Sequence, residues 1–264
     1  MKILFWNTNK NDRINPFLAS IIMDHSIDMI VLAEYVADEQ ELFHMVRNNQ
    51  QWIKAYTTIG CERIHFYGSY SGVEPYVQDK YYSIQVVKEK YIICGVHLPS
   101  DLHGDKSRER YIIAQIIMND IHIAERDIGS SSTVIVGDLN DMPYSDSCSN
   151  ADAFHGLVSI NRKDASRTVM GRSYPKYYNP MWNLFGDFSY PPGTYYRSES
   201  SLYAPMWYMI DQFIVGHGIV PFINKDELRI ITACSCGELS NQNGHPNIKI
   251  SDHYPIMLAF DDSC

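Results

Sequence analysis

Four apolar runs in this chain stop on a polar residue at their carboxyl end, and two later runs start from one. KILFW (2–6) meets Asn7, IDMIVLA (27–33) meets Glu34, and IICGV (92–96) meets His97. TVIVG (133–137) meets Asp138 and, two residues on, Asn140. Short β-branched and apolar runs with polar stops read as buried strands. Later, Asp211 precedes QFIVG, and Ser251-Asp252-His253 precede YPIMLAF. If these last two strands run antiparallel to the first four, all six polar positions meet at one edge of the sheets. Strands that alternate in direction require packed, mixed sheets and exclude a doubly wound parallel one.

The remaining elements fit around those strands. Asn15-Pro16 reads as an N-cap with proline at the first helical position, and apolar residues at 17, 18, 21 and 22 carry the helix to about His25. Residues 37–49 are amphipathic and predict a helix. Residues 107–127 hold the longest helical pattern, with apolar positions 112, 113, 116, 117 and 121. A hairpin is expected with strands 81–87 and 91–96 around Lys88-Glu89-Lys90, and 213–215 and 255–260 read as closing strands. From about 160 to 208 the chain becomes dense in Tyr, Trp, Met and Pro. With no repeat and no low-complexity linker, the expectation is one domain, 1–264, carrying an aromatic-rich loop insertion at about 160–208.

Composition removes some functions. The chain has 264 residues, 45% hydrophobic and 20% charged, with a formal net charge of −9. That balance argues against a broad basic face wrapped on duplex nucleic acid, where phosphate neutralisation dominates. It leaves room for a metal-charged cleft on an acidic body. No apolar run approaches the roughly 18–20 residues that span a bilayer, and MKILFWN turns polar too early for a signal-peptide core. A cytoplasmic protein with reduced thiols and without stable membrane association is expected. The C-x-C pair at Cys234 and Cys236 lacks the second pair that a zinc site needs.

A single polar strand end is ordinarily a turn. Six of them, composed of Asn, Glu, His, Asp with Asn, Asp, and Asp-His, form a chemistry. Oxygen ligands without thiolates suit a hard cation, Mg²⁺ or Mn²⁺. Two histidines beside carboxylates supply acid–base groups, and asparagine amides hold phosphoryl oxygens. Phosphoryl transfer is what this mixture serves best.

The ordered series WN-x-N at 6–9, Glu34 in LAEY, GVHLPS at 95–100, GDLNDMP at 137–143, Asp211 in MIDQFIVG and SDHYPI at 251–256 resembles the endonuclease/exonuclease/phosphatase superfamily, the DNase I-like proteins. The resemblance covers both ends and the middle of the chain and leaves about 160–208 unaccounted for. It implies an α+β fold, a four-layer α/β/β/α sandwich of two mixed, mostly antiparallel sheets, and Mg²⁺-dependent (or Mn²⁺-dependent) phosphoric-ester hydrolysis. By the same resemblance Glu34 ligates the metal, with Asn7 close to metal and phosphate and Asp252 contributing directly or through water. Asp138 orients or deprotonates the attacking water, and Asn140 holds the phosphate. His253 binds the scissile phosphate or acts as base, oriented by Asp211. His97 matches the histidine of the deoxyribonuclease and sphingomyelinase branches and protonates the leaving oxygen or stabilises its charge.

Some positions depart from that family's pattern. Ala33 stands where glutamine usually precedes the metal glutamate, and Gln212 follows Asp211 where tyrosine is commoner. Arg108 and Arg110 lie near a helix-start arginine of the family; either one clamps phosphate, or SRER is a solvated helix start. Substrate choice lives in the loops. Twelve aromatics between Tyr174 and Tyr208, interleaved with Lys176 and Arg197, either stack unpaired bases, pack as a lid or minor core, or contact a membrane, the last fitting less well with Tyr more abundant than Leu and Phe. The expected activity is a nuclease on DNA or RNA, favouring unpaired or distorted strands. The alternatives are a phosphodiesterase or phosphatase on small-molecule or lipid phosphate esters, and a catalytically inactive binding module. Oligomeric state is not set by these residues.

Overall fold

The structure, a computed structural model, describes residues 1–47, 52–159, 164–198, 202 and 205–262. In chain order the first half runs β1 (Lys2–Asn7), α1 (Asn15–His25), β2 (Met29–Ala33), α2 (Glu39–Arg47), β3 (Lys54–Tyr56), β4 (Ile64–Gly68), β5 (Val73–Asp79), β6 (Tyr82–Val87), β7 (Tyr91–His97) and α3 (Ser107–Ile128). The middle holds β8 (Ser132–Asp138), α4 (Asp146–Ser149), β9 (Gly156–Leu157), β10 (Ser166–Val169), β11 (Arg172–Pro175) and β12 (Tyr177–Tyr178). The chain closes with β13 (Tyr195–Tyr196), β14 (Trp207–Tyr208), β15 (Asp211–Gly216), β16 (Ile223–Ile230), β17 (Ala233–Cys234), β18 (Gly237–Glu238) and β19 (Ile256–Phe260).

Two large mixed sheets result, ordered β16-β19-β1-β2-β4-β3 and β5-β6-β7-β8-β15-β12-β9. β1 pairs parallel with β2, and β7 parallel with β8. β19 runs antiparallel to β1 and β15 antiparallel to β8, the directions that bring the polar strand ends to one edge.

Burial explains why the strand sequences are almost continuously apolar. Side chains alternate between faces with period two. In β1, Ile3 and Phe5 enter the layer between the sheets with Val31, Phe66, Val134, Val136 and Phe213. Leu4 and Trp6, on the other face, pack with Ile30 and Leu32 against Leu18, Ile21 and Ile22 of α1 and Leu42 and Val46 of α2. On the far side, Ile92, Cys94, Ile135 and Ile214 pack against Ile113, Ile117 and Ile121 of α3. Both faces of each sheet are covered, which gives the four layers α/β/β/α. No helix among the described residues is long and apolar enough to cross a membrane.

Several details differ from the sequence expectations. Asn15 does not cap α1: Ile14 stands at the cap without a side-chain bond, while Pro16 does lie in the first turn. The Asn15 amide instead donates to the Asp38 carbonyl (2.8 Å) and to Glu41 (2.7 Å), and its oxygen accepts from the Tyr35 hydroxyl (2.8 Å). It ties α1 to the start of α2, a long-range use that local spacing does not reveal. The strand expected from Ile27 starts at Met29, and the helix expected over 37–49 starts at Glu39, with residues 48–49 outside the described ones. β16 was not anticipated. It is an edge strand, largely exposed, whose INKDELRI sequence has no apolar run. Within 160–208 the chain forms the β10–β11 hairpin, β12, two short 3-10 turns at Pro180–Leu184 and Asp187–Ser189, and the β13–β14 pair. Tyr203 lies outside the described residues.

Candidate active site

Strand register assembles the site. His97 of β7 sits opposite Asp138 of β8, and Asp138 sits opposite Asp211 of β15. In the other sheet Asn7 is opposite Ala33, so Glu34 emerges beside Asn7. Gly137 makes the first pairing possible. A Cβ there would lie 1.9 Å from the Val96 carbonyl oxygen, so only glycine lets β8 come this close to β7.

Local hydrogen bonds then aim the side chains. Glu34 has left-handed backbone, φ 53°, and the Thr8 hydroxyl donates to its carbonyl at 2.9 Å. The Ser251 hydroxyl donates to the Asn7 carbonyl (2.7 Å) and accepts from the His253 amide (3.1 Å). The buried Trp6 indole donates to the His253 carbonyl at 2.9 Å. Asp138 is the hub. Its Oδ2 accepts from the Asn7 amide at 3.0 Å and lies 3.8 Å from His97 Nε2 and 4.0 Å from His253 Nε2. Its Oδ1 accepts from the Asn140 backbone at 2.9 Å, while the Asn140 side-chain amide donates to the Leu98 carbonyl at 3.0 Å. His97 Nε2 is also 3.7 Å from Glu34 Oε1. His253 Nδ1 meets Asp211 Oδ2 at 2.9 Å, and His253 Nε2 is 3.9 Å from Asp252. The structure thus brings together Asn7, Glu34, His97, Asp138, Asn140, Asp211, Asp252 and His253.

No protein-family model and no curated protein matches the chain. Solved structures do. A 3'-5' exonuclease, NExo, from Neisseria meningitidis superposes with a TM-score of 0.59 at 13% identity, over 99% of this chain and 100% of that one. D. rerio TDP2 complexed with single strand DNA product gives 0.59 at 15% identity, over 99% and 98%. An AP endonuclease from Archaeoglobus fulgidus gives 0.57 at 11% identity, over 99% of each chain. The fold is that of the DNase I-like endonuclease/exonuclease/phosphatase superfamily. At these identities the likeness is one of fold.

Charge at this DNase I-like strand edge is unbalanced. Burial pushes the Asp138 carboxyl up, with the two histidines acting against that rise and Asp211 adding to it. Burial also opposes charge on His253, but the Asp211 carboxylate, with Asp138 and Asp252 behind it, raises that imidazole to about 10. Burial lowers His97, only partly offset by Asp138. At neutral pH His253 is therefore an imidazolium and His97 a neutral ring. Asp211 is fully buried and its Oδ1 has no hydrogen-bond partner among the described residues.

This donor set fits a divalent cation. Glu34, Asp138 and Asp252 provide carboxylates with no lysine or arginine ion-paired to them among the described residues, and an unpartnered carboxylate oxygen is buried beside them. All-oxygen ligation is what Mg²⁺ and Mn²⁺ take. A tighter triad, Asp138, Asp211 and His253, has donor atoms within 4.8 Å of one another. In it His253 Nδ1 already faces Asp211 at hydrogen-bond distance, the arrangement of a carboxylate that orients a histidine. Glu34, outside that triad, has a partly exposed side chain with no hydrogen-bond donor on it among the described residues.

Arg110 is not open to phosphate. It is buried, bonded in two places to Asp101 (2.7 and 3.1 Å) and to the Pro99 carbonyl (3.0 Å), with Asp141 3.1 Å from its Nε. It locks the loop after His97 to the loop after Asp138, while Arg108 is exposed. Two further residues came from no strand-end pattern. Thr194 is fully buried; its hydroxyl accepts from the Asp211 amide (3.2 Å) and its carbonyl from Tyr254 (2.8 Å). Tyr195 bridges to His253 in the backbone, and their rings lie 4.9 Å apart. The only signal for them is the P-G-T-Y-Y stretch, where Gly193 leaves no room for a side chain against the Tyr208 carbonyl.

Proposed function

We propose that this chain is a divalent-metal-dependent phosphodiesterase whose substrate is nucleic acid, with unpaired or distorted strands favoured. The observation that carries the reading is the convergence on Asp138: one carboxylate held by Asn7, flanked by His97 and by a His253 that is itself held by Asp211.

Glu34, with Asn7 and Asp252, would hold Mg²⁺ or Mn²⁺. A bound divalent ion supplies Lewis-acid stabilisation of charge on the phosphoryl group. The protein's own groups do the rest. Asp138 takes the proton of the attacking water, a role its raised proton affinity suits at neutral pH. The His253 imidazolium donates to a non-bridging phosphoryl oxygen, with Asp211 fixing the ring so that Nε2 faces the site. Neutral His97 offers its Nε2 side to the leaving oxygen, and Asn140 steadies the phosphate. Tyr195 and Tyr208, edge to face at 6.1 Å, form an aromatic wall beside His253 for a sugar or a base.

Nucleic acid is supported by the company the fold keeps: an exonuclease, an AP endonuclease, and TDP2 with a single strand DNA product. The described cysteines Cys61, Cys94, Cys148, Cys234 and Cys236 are free thiols, which suits a cytoplasmic placement for this enzyme.

The test is a panel of single- and double-stranded DNA, RNA and bis-p-nitrophenyl phosphate, each with Mg²⁺, with Mn²⁺ and with excess chelator. Cleavage of single strands that chelation abolishes and either ion restores is the expected result. Full turnover in chelator sinks the metal assignment, and turnover of the small diester alone sinks the nucleic-acid one.

A further inference from the structure

A second group of packed rings, apart from the wall at His253, begins on the loop that carries Asn140. Tyr144 follows the GDLNDMP stretch directly and is 71% exposed. Its ring meets Trp182 at a centroid distance of 4.0 Å, inclined by 53°. Trp182 in turn meets Phe185 edge to face at 6.0 Å, and Phe185 is 44% exposed. Trp182 is half-buried between these two exposed rings, and large aromatics left exposed side by side in this way mark a binding surface.

This ridge is built into the site's own scaffold. Trp182 belongs to the 3-10 turn Pro180–Leu184, which Asn179 caps by accepting from the Met181 amide at 3.0 Å. The Asn179 amide donates to Gln212 at 2.7 Å, and Gln212 donates to the Asp141 carbonyl at 2.6 Å. Asn179 and Gln212 are both fully buried. Gln212 is the neighbour of Asp211, and Asp141 the neighbour of Asn140. The polar tie therefore fixes both halves of the ridge, Tyr144 and Trp182, relative to the residues around the scissile phosphate.

We propose that Tyr144, Trp182 and Phe185 form a second subsite, which stacks an unpaired nucleobase of the strand flanking the scissile phosphate. The proposal rests on the nuclease reading above and adds where a flanking base is held. Ring faces suit this role on an acidic chain because stacking needs no positive charge, and each base stacked on an aromatic adds about 1–3 kcal/mol, or about 5- to 150-fold in affinity. A duplex, whose bases already stack on one another, gains nothing here. The subsite thus selects for single strands.

The experiment compares Tyr144→Ala, Trp182→Leu and Tyr144→Phe with the wild type, using a 12-nucleotide single-stranded DNA and bis-p-nitrophenyl phosphate in Mg²⁺. Tyr144→Ala should raise KM for the DNA about 5- to 150-fold, far more than for the small diester, while Tyr144→Phe keeps the wild-type KM. An abasic linker beside the cleaved bond should weaken binding to the wild type but add little in Tyr144→Ala. Because Tyr144 is exposed, its variants keep the fold even if Trp182→Leu does not. Unchanged KM for DNA in Tyr144→Ala overturns the subsite alone. So do equal losses on both substrates, and so does loss of phosphatidylserine vesicle binding with DNA cleavage intact. A wild type that cuts only the small diester overturns the nuclease reading and the subsite with it.

Discussion

Replacing Gly137 by alanine should damage both stability and turnover, because one methyl group has nowhere to go. The added Cβ would lie 1.9 Å from the Val96 carbonyl oxygen and 2.7 Å from the carbonyl carbon. Relieving that contact to about 3 Å opens β7 from β8 by about 1 Å. Core overpacking of this kind costs about 1–3 kcal/mol. Strain on adjoining bonds, such as the Leu98 amide to the Asp138 carbonyl at 3.0 Å, adds about 1 kcal/mol. The total, about 2–4 kcal/mol, is a large share of the roughly 5–15 kcal/mol that holds a domain folded. Turnover suffers separately. His97 and Asp138 are the next residues on the two strands, and a misplacement of about 1 Å costs about 10²-fold. Urea denaturation followed by circular dichroism, with kcat on bis-p-nitrophenyl phosphate, measures both. Gly129→Ala is the control: that glycine has φ +71° and nothing within 4 Å, so only backbone strain of about 1–2 kcal/mol is expected, with normal kcat. A Gly137→Ala protein within about 0.5 kcal/mol of wild type and fully active would show that the close approach of the strands is not what sets the site.

Glu34→Gln and Asp138→Asn should both fold normally and lose activity, the second by about 10²–10⁴-fold since it removes the proton acceptor; kcat within a few-fold of wild type in both would misplace the site. His253→Ala, Asp211→Ala and the double variant should be strongly non-additive in kcat, because the carboxylate acts only through the ring it holds at 2.9 Å; losses that multiply would separate the two residues. Asp262 supplies a pH test away from the site. Burial opposes its charge, but the N-terminal amine (3.0 Å), Lys88 (3.1 Å) and the Tyr70 hydroxyl (3.0 Å) hold its carboxyl down at about 2. A depressed carboxyl stabilises fully above its unfolded value, near 4, and loses that contribution as pH falls toward 2. Asp262→Asn should therefore be less stable by about 1 kcal/mol at pH 6, since solvent screens this surface carboxylate, with the gap closing between about pH 4 and 2; a gap independent of pH in urea titrations would contradict the pairing.

Much of this molecule was legible before any coordinates. The strands β1, β2, β7, β8, β15 and β19 announce themselves because they are covered on both faces, which demands unbroken apolar runs, and because each has its polar residue at one end. Their directions follow from which end is polar, and with the directions comes the gathering of Asn7, Glu34, His97, Asp138, Asp211 and His253. The features that stayed hidden are those whose partners are far away in the chain. β16 has an edge strand's mixed sequence and exists by pairing with β19. Asn15 looks like a cap and is instead a cross-link to Asp38, Glu41 and Tyr35. Arg110 reads either as a phosphate clamp or as part of a solvated helix start, and is neither: it is a buried ion pair with Asp101 and Asp141. Thr194 has no signal beyond the P-G-T-Y-Y turn around it, and the exposed ridge at Tyr144 is visible only when Gln212 is seen joining Asn179 to Asp141. Periodicity and composition act along the chain and record which face a residue buries. Buried polar bonds close between segments that only the packed sheets bring within 3 Å, so their geometry is a property of the tertiary structure alone.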